Sequence, residues 1–415
     1  MKHYKMQYTY VGIDSHKETH TAVFIDCFYD KLGEIVVDNL PSKFEKFLDD
    51  AQKLQQDGTS LLFGMEDVSA YGRLLAVFLK ANNQQVKHVN PLLVSWERKN
   101  QTATQKNDSI DAECAARILL SKLDELPDAD PKDKYWILRT LVVRRNFVMR
   151  NNISLKNHLH TLLMSHYPSY RSFFYNIDGA TALAFFNRYP SPSTLVGTTV
   201  DELTEFLQEP SHGKVGAAKA LEILGGLQDT TVPFQEMRDT AVRSTIGQIK
   251  YNLEELKHLE SSLAEVLTLF ETTLMSMNGI DVVSAAQLLS NIGDIKRFST
   301  PAKLARYAGI APIEYSSGKK DLLFANKRGN RELNSLFFTL ANRLVMTMGH
   351  NNKVMNPFFY EYYHRKISEG KTKRQALKCV QRRLVNIIWT MLVHNEEYVN
   401  PPSYYISEEK SEEKA

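Results

Sequence analysis

The sequence has little cysteine: only Cys27, Cys114 and Cys379 occur in 415 residues, with no CxxC pair. Neither a disulfide framework nor a cysteine zinc site is supported, and a reducing cytoplasm is the expected compartment. No run of 18 apolar residues is present, so no membrane span is expected. The opening MKHYKMQYTYVGID passes from a few charges directly into a strand-like segment, which is not the pattern of a signal peptide. The GxxxxGK[ST] phosphate cradle is missing, which removes one nucleotide-binding class. Charge of neither sign dominates, with 51 Lys and Arg against 48 Asp and Glu.

That near balance hides two basic blocks. Residues 365 to 383 hold Arg365, Lys366, Lys371, Lys373, Arg374, Lys378, Arg382 and Arg383 against Glu369 alone. A helical stretch from Ile137 to Asn157 carries Arg139, Arg144, Arg145, Arg150 and Lys156 with no acid. Such blocks suit a polyanionic partner. The chain is 43% apolar and 24% charged, an ordinary globular composition, and its length suits two or three domains.

Read along the chain, YTYVGID, TAVFID and GEIVVDN predict three short strands, and a helix follows around Phe44 to Leu54. LLFGMED, a helix from about Tyr71 to Lys80, and QVKHVN complete a βββαβαβ order. That order points to an α/β sheet of the ribonuclease H-like type. Beyond Pro91 the pattern turns helical. Ile249, Leu256, Leu263 and Phe270 recur every seven positions, with Leu259 and Val266 at the second apolar position and Asn252 at one such site. This is the spacing of a coiled-coil seam, and equally of an amphipathic helix packed within its own domain. The stretch 170–235, broken by Gly, Pro, Ser and Thr, reads as short helices with no legible function. MNGIDVVSAAQLLSNIG has a Gly turn between helical patterns, resembling a helix-hairpin-helix. The expected organisation is an α/β domain over 1–125, a helical linker and coiled-coil region over 126–272, a mainly helical domain over 273–400, and an acidic, disordered tail over 401–415.

Four carboxylates stand out. Asp14 follows YVGI at the end of the first strand, and Glu66 follows LLFGM at the end of the fourth; both are expected at one edge of the sheet. Asp108 and Asp111, three apart at the start of a helical run, share a helix face. Clustered carboxylates repel one another and need cations, and a pair of Mg²⁺ ions held this way stabilises attacking and leaving oxygens in phosphoryl transfer. Taken singly, Asp108 also suits a helix cap and Asp111 the positive helix end. Asp26 and Asp67 are nearby competitors, Asp67 being expected on the face opposite Glu66.

These residues resemble the DEDD transposases of the insertion sequence 110 family, whose N-terminal domain is similar to RuvC-type resolvases. VGIDSHKETHTAVFID, GMEDVSAYGRLLAVFL and KNDSIDAECAARIL look like the family's three acidic motifs and place Asp14, Glu66, Asp108 and Asp111. NGIDVVSAAQLLSNIGDIKRFSTPAKLARYAGIAPIEYSSGKK and NKRGNRELNSLFF resemble its second conserved domain. The resemblance implies a nucleophilic serine at Ser317 of YSSG, with Ser316 the adjacent rival. It further implies a phosphoserine intermediate, Mg²⁺ on the four acids, donor and target DNA, an element-encoded guide (bridge) RNA, and a homo-oligomer between dimer and tetramer. Arg144, Arg145, Lys319, Lys327, Arg328, Lys373 and Arg374 are the expected nucleic-acid contacts, joined near the serine by Lys320 and Arg331. Two features depart from the family pattern: the region between the basic helix and the heptad segment is longer, and Asn326 stands where a small hydroxyl residue often precedes Lys-Arg-Gly.

Two other readings fit parts of the pattern. In a metal-dependent junction nuclease the acids activate water and Ser317 is structural. In a non-catalytic nucleic-acid-binding protein the basic segments bind and the carboxylates only cap helices.

Overall fold

The computed structural model describes residues 3–66, 68, 70–100, 107–129, 133–166, 170–226, 233–317, 320–324, 326, 329–348 and 353–399. The chain divides into two compact units, residues 1–136 and 137–415.

In the first unit, β1 (Tyr8–Ser15), β2 (Thr19–Ile25) and β3 (Lys31–Asp38) form an antiparallel meander, and α1 (Pro41–Lys53) follows. Next come β4 (Ser60–Met65), α2 (Arg73–Ala81), β5 (Gln85–His88), α3 (Pro91–Asn100) and α4 (Asp108–Ser121). The sheet order is β3-β2-β1-β4-β5, with β4 parallel to both β1 and β5. The strands alternate between two cores. Val11, Ile13, Phe63 and Met65 join Phe44 and Phe47 of α1 and Leu75, Ala76 and Leu79 of α2. On the other face, Tyr10 and Leu62 meet Ala112, Ala115, Ala116 and Leu119 of α4. The expected βββαβαβ order therefore stands, with boundaries moved by a few residues.

Gly12 explains how closely α4 lies on the sheet. A Cβ at this position would stand 2.0 Å from the Ala112 carbonyl oxygen and 2.3 Å from the Ala116 nitrogen. Only a residue without a side chain lets β1 touch the backbone of the helix.

The second unit begins in the long helix α5 (Asp133–His166). Short helices α6 (Tyr170–Phe173), α7 (Ala180–Arg188), α8 (Val200–Ser211) and α9 (Ala217–Gly225) lead to the second long helix, α10 (Gln235–Leu267). Then come α11 (Val282–Ile292), α12 (Pro301–Tyr307), the hairpin β6 (Ile313–Ser317) and β7 (Lys320–Phe324), α13 (Arg331–Val345), α14 (Pro357–Ser368) and α15 (Lys373–His394). Leu138 and Val142 near the start of α5 share a core with Leu263 and Leu267 at the end of α10. Leu159 and Leu163 near the end of α5 share another with Val242, Ile246 and Ile249 of α10. The two helices therefore run antiparallel, each end embedded in a different core.

The heptad positions Ile249, Leu256 and Leu263 are all buried. Phe270 lies beyond α10, in a 3₁₀ turn over Thr268–Phe270 that ends at Glu271 with φ 47°, so the seven-residue pattern outruns the helix. The expected helix-hairpin-helix departs similarly. The turn at Gly279 has φ +100° as expected, but a 3₁₀ turn, Leu274–Ser276, precedes it rather than a full helix. No described helix is long and apolar enough to cross a membrane.

Candidate metal centre and serine hairpin

The parallel register pairs Gly12 with Gly64 and Ile13 with Met65, which puts Asp14 and Glu66 at matching ends of neighbouring strands. Side chains paired across parallel strands share a face, and the alternation assigns this pair to the side covered by α4. Asn107 caps α4, its Oδ1 accepting the Ile110 N–H at 2.8 Å. Asp108 is thus not the cap, and its carboxylate stays available where β1 ends.

There it meets Asp14. The Nε2 atom of His16 lies 3.1 Å from Asp14 Oδ2 and 3.2 Å from Asp108 Oδ1. Ligand atoms of Asp14, His16 and Asp108 all fall within 4.8 Å of one another. Glu66 and Asp111 stand outside this trio. Asp111 is 8% exposed and accepts from the Arg98 guanidinium of α3. The backbone carbonyl of Glu66 faces His88 Nε2 at 3.2 Å. Asp67 lies outside the described residues. Asp26 caps a turn instead, its Oδ1 accepting the N–H groups of Phe28 and Asp30.

Burial pushes the Asp14 carboxyl above the usual carboxylate range; His16 opposes this, while the Asp111 and Asp108 charges add to it. The neighbouring carboxylates thus repel one another while burial withholds solvent from Asp14. Hard carboxylate oxygens beside one imidazole nitrogen, under that strain, suit a divalent cation. His16 was not singled out from the sequence, although it stands two residues beyond Asp14, the spacing that returns to one face of an extended chain. Arg98 carried no spacing signal at all.

Ser317 is the last residue of β6 and pairs with Lys320, the first of β7; Ser316 pairs with Asp321. The backbone thus places Ser317 at the closing pair of the hairpin. Gly318 and Lys319 lie outside the described residues, as do Lys327 and Arg328. The hairpin's base is fixed by amides: Asn326 Nδ2 donates to the Arg306 carbonyl and Asn334 Nδ2 to the Ala308 carbonyl, each at 2.9 Å. Gly309 and Gly329 pack backbone to backbone, since a Cβ on Gly329 would stand 2.3 Å from the Gly309 nitrogen. Asn326, the departure from the family pattern, therefore has a structural role.

The expected basic contacts divide. Arg144 Nη2 lies 2.6 Å from Glu255, and Arg145 Nη2 lies 2.7 Å from Glu260, so both arginines tie α5 to α10. Lys373 and Arg374 open α15 and are exposed.

Two family models match the chain. One, described as a transposase of the DEDD, IS110 type, covers residues 11–168 and so contains all four acids. The other, described as the transposase IS116/IS110/IS902 family, covers residues 271–363 and contains Ser317. An insertion element IS116 uncharacterized 44.8 kDa protein of Streptomyces clavuligerus is 25% identical over 92% of this chain and 94% of its own. An insertion element IS900 uncharacterized 42 kDa protein of Mycobacterium paratuberculosis is 24% identical over 94% and 97%. A pilin gene-inverting protein of Moraxella bovis is 29% identical over 48% of this chain and 58% of its own.

Proposed function

The chain belongs to the IS110 family of DEDD transposases, and from that premise we propose that it cuts and rejoins DNA through a phosphoserine intermediate, guided by an element-encoded RNA. The observation that carries this reading is the meeting of Asp14, His16 and Asp108 at the end of β1. Asp14, Asp108, Glu66 and Asp111 hold divalent metal, Mg²⁺ by preference for oxygen donors, with His16 as an additional ligand. Metal bound there supplies charge stabilisation for a phosphoryl group in transfer.

The chain's own groups do the rest. Ser317 Oγ attacks a scissile phosphate, forming an O–P bond as the bond to the departing deoxyribose oxygen breaks. The serine proton passes to a base, and the departing oxygen takes up a proton. Rejoining reverses these steps on a new strand end, so the ester's energy is kept. Inverting a gene requires strands to be both cut and rejoined, and the Moraxella bovis relative bears that description. The strand order and the acids at its C-terminal ends support a RuvC-like first domain over 1–125. The remaining divisions, 126–272 for the helical pair and 273–400 for the serine domain, follow the same reading. Lys373 and Arg374 meet nucleic-acid backbone, and a homo-oligomer brings acids and serine together.

The test is a denaturing gel of protein incubated with Mg²⁺, the element's noncoding RNA and labelled donor and target DNA. A covalent adduct is expected with the parent chain and with Ser316→Ala, but not with Ser317→Ala or Asp14→Ala. Cutting that persists in Ser317→Ala, with no adduct in any lane, would make the chain a metal-dependent nuclease.

A further inference from the structure

The end of α5, α6 and α7 take no part in the chemistry proposed above, yet with the segment between α6 and α7 they carry a built cleft. Its volume is about 240 Å³, below the range that takes drug-sized ligands. Rings form its walls. Phe174 and Phe186 meet edge to face with centroids 5.9 Å apart. The Tyr170 hydroxyl lies 2.8 Å from His160 Nδ1 and accepts from Arg171 Nε at 3.2 Å. At the rim, the Tyr175 side chain is fully exposed.

The charge at this cleft is positive. Arg171 is exposed and makes no ion pair among the described residues, its guanidinium resting instead on Tyr170. The neighbouring acid, Asp178, is neutralised by Lys156 at 2.7 Å. Burial, with Lys156 and Arg171 nearby, holds His160 below the usual imidazole range, which favours its neutral form. Planar walls, an exposed ring and an exposed guanidinium with no acidic partner among the described residues together form the combination that stacks bases and meets phosphates in single-strand recognition. A base within a duplex is stacked on both sides and cannot enter such a cleft.

We propose that this cleft takes one unpaired nucleobase of a single-stranded nucleic acid, with Tyr175 stacking on the base and Arg171 meeting the adjoining phosphate. The inference rests on the chain being a nucleic-acid enzyme, but its readout requires neither metal nor Ser317.

The experiment uses the full chain and two fluorescent probes, a ten-residue oligouridylate and the matching oligothymidylate. Binding is followed by anisotropy across a salt series, and photocrosslinking with 5-iodouracil analogues is mapped by mass spectrometry. Tyr175→Ala is expected to weaken binding by at least about fivefold, the loss of one stacked base, while Tyr175→Trp restores it. Arg171→Gln is expected to weaken binding and flatten the salt slope by about 0.7, the share of one single-strand phosphate. Crosslinks should fall within residues 170–186. The tighter of the two probes identifies the strand as RNA or DNA. Unchanged affinity in both Tyr175→Ala and Arg171→Gln, or equal competition by a duplex of the same length, would overturn the proposal. Because both positions are exposed, neither substitution threatens the fold. An absent covalent adduct in the cleavage assay would leave this measurement untouched.

Discussion

Gly12 and Ala112 are in backbone contact: a methyl group on Gly12 would sit 2.0 Å from the Ala112 carbonyl oxygen. This contact sets where α4 begins relative to the end of β1, and hence where Asp108 stands relative to Asp14. Gly12→Ala is expected to cost on the order of 1–3 kcal/mol or more, because the obstructing atoms belong to a helix backbone. It should also weaken metal binding in calorimetric titration. Gly64→Ala is the control, since its contacts at 3.0 and 3.1 Å are the side-chain tips of Val89 and Leu119. Urea unfolding should show the smaller loss there.

Metal binding should be measurable without DNA. Mg²⁺ and Mn²⁺ are each expected to raise Tm in proportion to the logarithm of their excess over Kd. Asp14→Asn and Asp108→Asn should abolish that rise. His16→Ala should weaken the response to Mn²⁺ more than to Mg²⁺, because imidazole suits the softer ion. A chelator should return the parent chain to its metal-free Tm. A Tm indifferent to both ions would remove the metal centre.

Arg145 is expected to matter more for the helix pair than for DNA. A double-mutant cycle of Arg145→Met with Glu260→Gln should give a coupling of about 1 kcal/mol, the upper end for a partly exposed pair. Arg145→Met should leave the salt dependence of DNA binding unchanged, whereas Lys373→Gln with Arg374→Gln should flatten it. A flattened slope with Arg145→Met would give that arginine to the nucleic acid after all.

Asp281 caps α11. Burial acts to raise its carboxyl, but the Ser284 N–H and hydroxyl and the Arg343 guanidinium outweigh it and hold the group below the usual carboxylate range. A depressed value in the folded state stabilises above the unfolded value, and the benefit is lost as pH falls through the folded one. Asp281→Ala should therefore cost about 1 kcal/mol near neutrality. The gap to the parent chain should close in acid. Urea midpoints at pH 7 and pH 3 check both parts.

Asn252 of α10 is buried with its Nδ2 atom making no hydrogen bond among the described residues, and Asn152 of α5 is buried with its Oδ1 atom likewise unpartnered among them. Asn252→Leu is expected to stabilise the chain by about 1 kcal/mol, since it removes a buried donor that makes no bond. Thermal unfolding should show a higher Tm.

The sheet was legible because β1, β2 and β4, buried on both faces, read as short apolar runs, and its helices are marked by polar breaks around Pro41, Gly58 and Asn82. The acids at strand ends were legible for the same reason: Asp14 and Glu66 each close an apolar run. Pairings that cross long sequence distances were not. Arg144 and Arg145 look like free cations because their partners, Glu255 and Glu260, come more than a hundred residues later. Arg98 holds Asp111 through the packing of α3 on α4, which no local pattern records. The aromatic cleft at Tyr170 and Phe186 arises from loops and short helices whose sequence carries no period.

Helices α5 and α10 contain 34 and 33 residues, about 50 Å each at helical rise. Because opposite ends of the pair lie in different cores, it acts as a strut whose length fixes the spacing between them. Removing one residue from a helix shortens it by about 1.5 Å and turns everything beyond by about 100°. A single deletion in the middle of either helix would therefore swing one core's anchoring residues out of phase. Length changes here are tolerable only in steps near whole heptads taken in both helices together, so evolution can resize this strut only in large, paired increments.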